Sequence, residues 1–213
     1  MIKENRARVV KDIHVNGVSN VHGVSFDGQH VWFAHGELGE VIAVRPDTGE
    51  RAKSLRVPAD AGVAFDGECL WIGCEDKIRR VDRDTGEVKA ELVSPAGTDT
   101  SGIAYHAGHL WVGSYRSKLI YKVHVATGTV VKKLSSDRLV TGVTFRGDDL
   151  WHGSVEGGAK DSELRRLHSE TGDVIERQEL VGTFVSGTEA DREGRVWCGD
   201  PNDGHLRLIE LAN

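Results

Sequence analysis

A pattern of about a dozen residues recurs five times along this chain, and it limits the fold more than any other feature. The clearest copy is Gly102-Ile-Ala-Tyr-His-Ala-Gly-His-Leu-Trp-Val-Gly113. Further copies begin at Gly23, Gly62 and Gly142, and a looser one at Gly187. Every tryptophan of the chain falls in the pattern: Trp32, Trp71, Trp111, Trp151 and Trp197, at spacings of 39, 40, 40 and 46 residues. A period near 40 means one supersecondary unit repeated, so the fold follows from the unit.

Each unit opens with a short apolar strand, a turn and a second strand. Asp27-Gly28 and Asp66-Gly67 suit tight hairpin turns, because both residue types tolerate positive φ. A third strand with period-2 alternation follows, as in Lys77 to Asp82. It ends at a second repeated turn, Asp47-Thr-Gly49, Asp84-Thr-Gly86, Ala126-Thr-Gly128 or Glu170-Thr-Gly172, and a fourth strand leads away from it. Four antiparallel strands per 40 residues, with a fixed Trp, predict an all-β, five-bladed β-propeller. The blades fall near 20–57, 60–93, 100–134, 140–180 and 185–211, within a single domain over 1–213. Blade five runs out of chain after His205 to Leu211. The segment Arg8 to Val15 reads like the other fourth strands, and it is expected to close the ring from the N-terminal side.

Composition narrows the partners. The 26 glycines suit many turns, and four prolines with no polar tract argue against disorder. Net charge is −6, with no basic run or arginine stripe, which argues against nucleic acid. No apolar run is long enough to span a membrane, and Met1 to Arg6 lacks the apolar core of a secretory signal. Three cysteines, Cys69, Cys74 and Cys198, offer no Cys-x-x-Cys pair, so reduced thiols and a cytoplasmic location are expected. The expectation is a monomer acting on a small molecule, without a cofactor.

In such a ring the Asp-Gly and Thr-Gly turns share one face. The unequal polar loops share the other, and a rigid scaffold presenting variable loops is where a site belongs. Two repeat positions are expected to ring the axis there. The residue before the first-strand glycine is His22, Ala61, Ser101, Thr141 or Ser186; the residue three after Trp is His35, Cys74, Ser114, Ser154 or Asp200. Glu37, Glu75, Asp76, Tyr115, Arg116, Glu156, Lys160, Asp161, Asn202 and Asp203 lie just beyond. Glu189 deviates most sharply, because the other blades put Ser25, Ala64, Ala104 and Thr144 at its position. An inward carboxylate needs a partner, a raised pKa or a ligand, so it is either a proton carrier or a structural acceptor of amides or water. His22 and His35 suit proton transfer or metal binding, or bond a neighbouring backbone; two histidines without fixed spacing fall short of the ligands zinc usually takes, so no metal is assigned. Acids beside Cys74 disfavour its thiolate. The tryptophans, fixed in the repeat, belong to the packing between blades. The Glu156 to Asp161 insertion, with paired glycines, is either a lid or a tolerated loop.

The run from Phe26 through Trp32 and Gly36 to Gly39, followed by Val44-Arg-Pro-Asp-Thr-Gly49, resembles the first blade of the glutamine cyclotransferases. The resemblance implies a five-bladed propeller that converts N-terminal glutamine to pyroglutamate without an essential metal, using glutamates at the channel mouth. Glu189 falls at an acidic position of that family's last blade. The family's other glutamates fall at Phe33, His22 and Ser101, so this chain departs from the pattern there. Virginiamycin B lyase-like propellers are also similar, through His22-Gly23 and the Asp-Thr-Gly turns, but they have seven blades.

The resemblance and the residues together lead to a small-molecule enzyme with acid–base catalysis at the axial mouth. Glu189, His22 and His35 are the expected catalytic groups, and Glu37, Glu75, Tyr115, Arg116, Glu156 and Asp200 the expected substrate contacts. Tyr115 or Arg116 would donate to an oxyanion. A different lyase or cyclase on the same mouth, or a non-catalytic binding propeller, are the alternatives.

Overall fold

A computed structural model describes residues 2–37, 39–156 and 161–212. Two strands precede the first repeat, β1 (Lys3–Arg6) and β2 (Arg8–His14). Blade one holds β3 (His22–Phe26), β4 (Val31–His35), β5 (Glu40–Val44) and β6 (Arg51–Leu55). Blade two holds β7 (Val63–Phe65), β8 (Cys69–Cys74), β9 (Lys77–Asp82) and β10 (Val88–Val93). Blade three holds β11 (Thr100–His106), β12 (His109–Ser114), β13 (Leu119–His124) and β14 (Val130–Ser135). Blade four holds β15 (Leu139–Arg146), β16 (Asp149–Val155), β17 (Ser162–Leu167) and β18 (Val174–Leu180). Blade five holds β19 (Ser186–Ala190), β20 (Val196–Gly199) and β21 (His205–Glu210). The protein is all-β, a five-bladed propeller, and one short 3-10 turn at Gly97–Asp99 is the helical element among the described residues.

The ring closes as the repeat count predicts. β2 pairs antiparallel with β21, from Arg8 opposite Glu210 to His14 opposite His205, and supplies blade five's outer strand. The sequence pattern did not announce β1. It runs parallel to β18, Lys3 opposite Glu176 and Arg6 opposite Glu179, and adds a fifth strand to blade four. The N-terminal arm therefore crosses from one blade to the next at Ala7, whose N–H donates to the Glu179 carbonyl at 3.0 Å.

Hydrophobic packing lies between blades, as strand alternation requires. Trp32 of blade one packs with Val63, Leu70 and Ile72 of blade two, and Trp197 of blade five packs with Val24 and Phe33 of blade one. All five tryptophans are buried. The Asp-Gly turns also serve these tryptophans. Asp27 accepts the backbone N–H groups of Gln29 and His30 and the Trp32 indole N–H at 2.8 Å. Asp66 does the same for Glu68, Cys69 and Trp71. Blades three and four place His106 and Arg146 at this position, and the Trp111 and Trp151 indole nitrogens are buried without a partner among the described residues.

Near the axis the inner strands meet backbone to backbone. A Cβ on Gly102 would stand 2.6 Å from the Gly142 Cα, and one on Gly142 would stand 2.8 Å from the Gly187 carbonyl carbon. Gly187 in turn meets Gly23, Gly23 meets Gly62, and Gly62 meets Gly102, so five glycines form a closed girdle. Only a residue without Cβ allows this approach. The ladder register shifts beside the girdle in blades one, three, four and five, the mark of a β-bulge that re-aims the strand start.

Candidate active site

Above the girdle, on the face of the unequal loops, lies a cavity of about 250 Å³. The residues that precede the girdle glycines, His22, Ala61, Ser101, Thr141 and Ser186, all line it, as the repeat reading expects. Asp60, Thr100 and Tyr115 add polar groups, and Phe184 and Pro201 add apolar walls. Three neighbouring blades thus present hydroxyls in an arc, and blades one and two present an imidazole and a carboxylate. The Ser101 and Thr141 hydroxyls are buried with no partner among the described residues. Unpaired buried hydroxyls cost free energy, and a polar ligand would satisfy them.

His22 is half-buried at the start of β3. Burial lowers its pKa below the ordinary imidazole value; His35 adds to that, while Asp60 and Glu37 partly offset it. The ring is therefore neutral at pH 7 and able to accept a proton. Asp60 accepts the Glu75 backbone N–H at 3.2 Å, which ties the loop before β7 to the loop after β8. Asp99 does the same in blade three. It accepts the Ser114 hydroxyl at 2.5 Å and the Arg116 and Ser117 N–H groups, and its carbonyl accepts the Tyr115 N–H at 3.0 Å. Burial raises its pKa, but these hydrogen bonds outweigh burial and hold it below the usual carboxylate range. Asp99 thereby fixes the loop that brings Tyr115 to the mouth.

The second expected ring does not line this cavity. His35, Cys74 and Ser114 end the second strands, Ser154 stands one residue before the end of β16 and Asp200 one residue past β20, and none of the five lines the cavity. His35 is buried, and its Nε2 accepts the Ser19 N–H at 3.4 Å. The Ser19 hydroxyl donates to exposed Glu37 at 2.6 Å. Asp200 is held by Arg207 at 2.7 Å. Burial raises the Cys74 pKa, and Asp60 and Glu75 raise it further, as the sequence suggested. Glu75 and Arg116 are exposed, with their backbone N–H groups on Asp60 and Asp99. Glu156 pairs with Arg138 at 3.3 Å and lines a separate cleft. Lys160 and the glycines of the proposed lid lie outside the described residues.

Glu189 is also apart from the histidines. It follows the girdle residue Gly187 by two positions along β19, so the girdle stands between it and the mouth. Thr144 of blade four donates to its Oε2 at 3.4 Å. Burial pushes its carboxyl up to about 8, with Thr144 acting weakly the other way. Neither histidine contributes to that shift, and Glu189 does not contribute to that of His22. The next residue, Ala190, stands where the other blades carry Phe26, Phe65, Tyr105 and Phe145, and it lines a cleft of about 230 Å³ on the opposite face.

Of the expected site residues, then, His22 and Tyr115 share one cavity. Asp60, Thr100, Phe184 and Pro201 were missed. The loop acids carried a readable signal, since Asp60 and Asp99 both stand just ahead of a girdle glycine. No group of three or more His, Cys, Asp or Glu side chains is placed to hold a metal among the described residues.

No family model matches the sequence, and no curated protein matches it. Solved structures do share its fold. The glutaminyl cyclase of Myxococcus xanthus superposes with a TM-score of 0.80 at 12% identity, over 99% of this chain and 98% of that one. The hydrazine synthase of Kuenenia stuttgartiensis matches with a TM-score of 0.60 at 15% identity, over 87% of this chain and 57% of that one. At these identities the likeness speaks for the fold.

Proposed function

We propose that this propeller is a small-molecule enzyme that cyclises an N-terminal glutaminyl group at the axial mouth. The observation that carries the reading is the mouth itself: one neutral, half-buried imidazole beside a carboxylate, opposite buried hydroxyls that lack partners. The fold shared with the Myxococcus xanthus glutaminyl cyclase supports it.

In this chemistry the substrate's α-amine attacks its own side-chain carboxamide carbon. The new C–N bond closes the ring, and the bond to the departing nitrogen breaks to release ammonia. His22 takes the proton from the attacking amine and returns it to the leaving nitrogen, and Asp60 stabilises the transient imidazolium. The Tyr115 hydroxyl, with Ser101 or Thr141, donates to the developing oxyanion, where donors fixed in advance act most strongly. Glu189 takes no part in the step, because the glycine girdle separates it from the mouth.

The test is direct. Purified protein is incubated with peptides bearing N-terminal glutamine, and ammonia and the cyclised product are both measured. Stoichiometric release supports the proposal. Saturable binding of such peptides without ammonia release would leave a binding propeller in its place.

A further inference from the structure

A cleft of about 580 Å³ lies away from the mouth, where the N-terminal arm crosses from blade four to blade five. Arg6, Arg8, Arg146 and Arg195 line it, with Glu193 and Glu210. These arginines are scattered from one end of the sequence to the other, which is why no basic run announced them. The chain as a whole carries a net charge of −6, so the cleft's surplus of guanidinium is local.

The two carboxylates are already taken. Arg8 donates to Glu210 at 2.6 Å, and Arg195 pairs with Glu193 at 2.7 Å and with Asp191 at 2.8 Å. Among the described residues Arg6 reaches only Glu179, at 3.5 Å, and both are exposed, so that pair contributes little. Arg146 is half-buried and has no carboxylate within ion-pair distance among the described residues. Its guanidinium packs on the blade-five turn, with Nε 2.5 Å from where a Gly194 Cβ would stand. Internal comparison isolates it further: the same repeat position holds Asp27, Asp66 and Asp191 in blades one, two and five. Blade four reverses the charge, and its tryptophan loses an indole acceptor in consequence.

We propose that this cleft binds a small organic phosphate. A half-buried guanidinium without a counter-ion calls for an anion, and the planar fork of arginine matches phosphate oxygens two at a time. A dianion suits one unpaired and one weakly paired guanidinium better than a single carboxylate. The volume exceeds what a bare phosphate needs and falls in the range of small-ligand sites, and Leu211 in the wall offers apolar contact for an organic body. A ligand held by Arg6 and Arg8 on one side and by Arg146 and Arg195 on the other would fasten the arm across the blade seam.

Isothermal titration at fixed ionic strength tests this with inorganic phosphate, glycerol phosphate and acetate as probes. The wild-type protein is expected to bind glycerol phosphate saturably, more tightly than inorganic phosphate and far more tightly than acetate. Arg146→Ala should weaken this at least tenfold and Arg146→Lys less, while Arg192→Ala, an exposed arginine outside the cleft, should change nothing. Amide exchange across residues 3–14 should slow when glycerol phosphate is present, a readout that needs no variant. Absence of saturable binding, acetate binding as tightly as glycerol phosphate, an unchanged Arg146→Ala protein, or an equal loss in Arg192→Ala would each overturn the proposal.

Discussion

Gly187 and Gly23 stand back to back where the last blade meets the first: a Cβ on Gly187 would lie 2.6 Å from the Gly23 Cα. This contact completes the girdle that separates the mouth from Glu189. Gly187 also adopts a φ of 64°, so a side chain there meets both a steric and a conformational barrier. Gly187→Ala and Gly102→Ala should each destabilise the fold by about 1–3 kcal/mol, the usual cost of overpacking, with the larger loss at Gly187. Urea midpoints measure this. Wild-type midpoints would mean that the inner strands part easily and the girdle is soft.

The N-terminal arm makes two separable attachments. Removing residues 1–7 takes away β1 and leaves β2 on β21, so a cooperative fold with a lower melting temperature is expected. Removing residues 1–15 also takes Ile13 and Val15 from the core between blades five and one and leaves β21 as an open edge. That protein should aggregate or unfold without cooperativity. A soluble, cooperative, monomeric product would contradict the closure.

Asp66 gives a pH-dependent test of the tryptophan turns. Burial raises its pKa, but Arg80 and the Cys69 and Glu68 N–H groups outweigh burial and hold it below 3.8. Its contribution is therefore fully present above that value and fades as pH falls through the lower folded pKa. Asp66→Asn should cost about 1–3 kcal/mol at pH 7, because partners are left unpaired. The gap to wild type should close in strong acid. A gap independent of pH would show that the carboxylate's charge is irrelevant.

Glu189 behaves in the opposite sense. With its folded pKa raised from 4.5 to about 8, the folded state holds a proton that the unfolded state releases. Stability should fall as pH climbs from about 4.5 towards 8, and Glu189→Gln should flatten that slope. The variant should be at least as stable as wild type at pH 8. A steep slope that survives the substitution would place its origin elsewhere.

The blades were legible because every unit repeats its Trp, its turns and its period-2 strands. β1 was not, since Lys3 to Arg6 has no apolar face and pairs through its backbone with β18. At the mouth, the residues in repeat register were readable, and His22 and Ser101 fell where expected. Phe184 and Pro201 sit in loops of unequal length, where no register applies, whereas Asp60 could have been found from its place two residues ahead of Gly62. The repeat count puts His35 at the axis because it follows Trp32 by three. That count marks the end of a second strand, one strand out, and Ser19 meets its ring there. Glu189 stood out by comparison between blades, but sequence alone gave no sign that the glycine two residues before it closes the way to the mouth.

The most direct test compares His22→Gln with Glu189→Gln in turnover of N-terminal glutaminyl peptides, with melting temperatures taken alongside. Removing a general base costs about 10²–10⁴ in rate. His22→Gln should lose turnover by that factor at an unchanged melting temperature, and Glu189→Gln should keep near wild-type turnover. The wild-type rate should fall in acid with a midpoint below 6.5, where His22 takes up its proton. Full activity in His22→Gln together with collapse in Glu189→Gln would contradict this, and would move the chemistry to the other side of the glycine girdle.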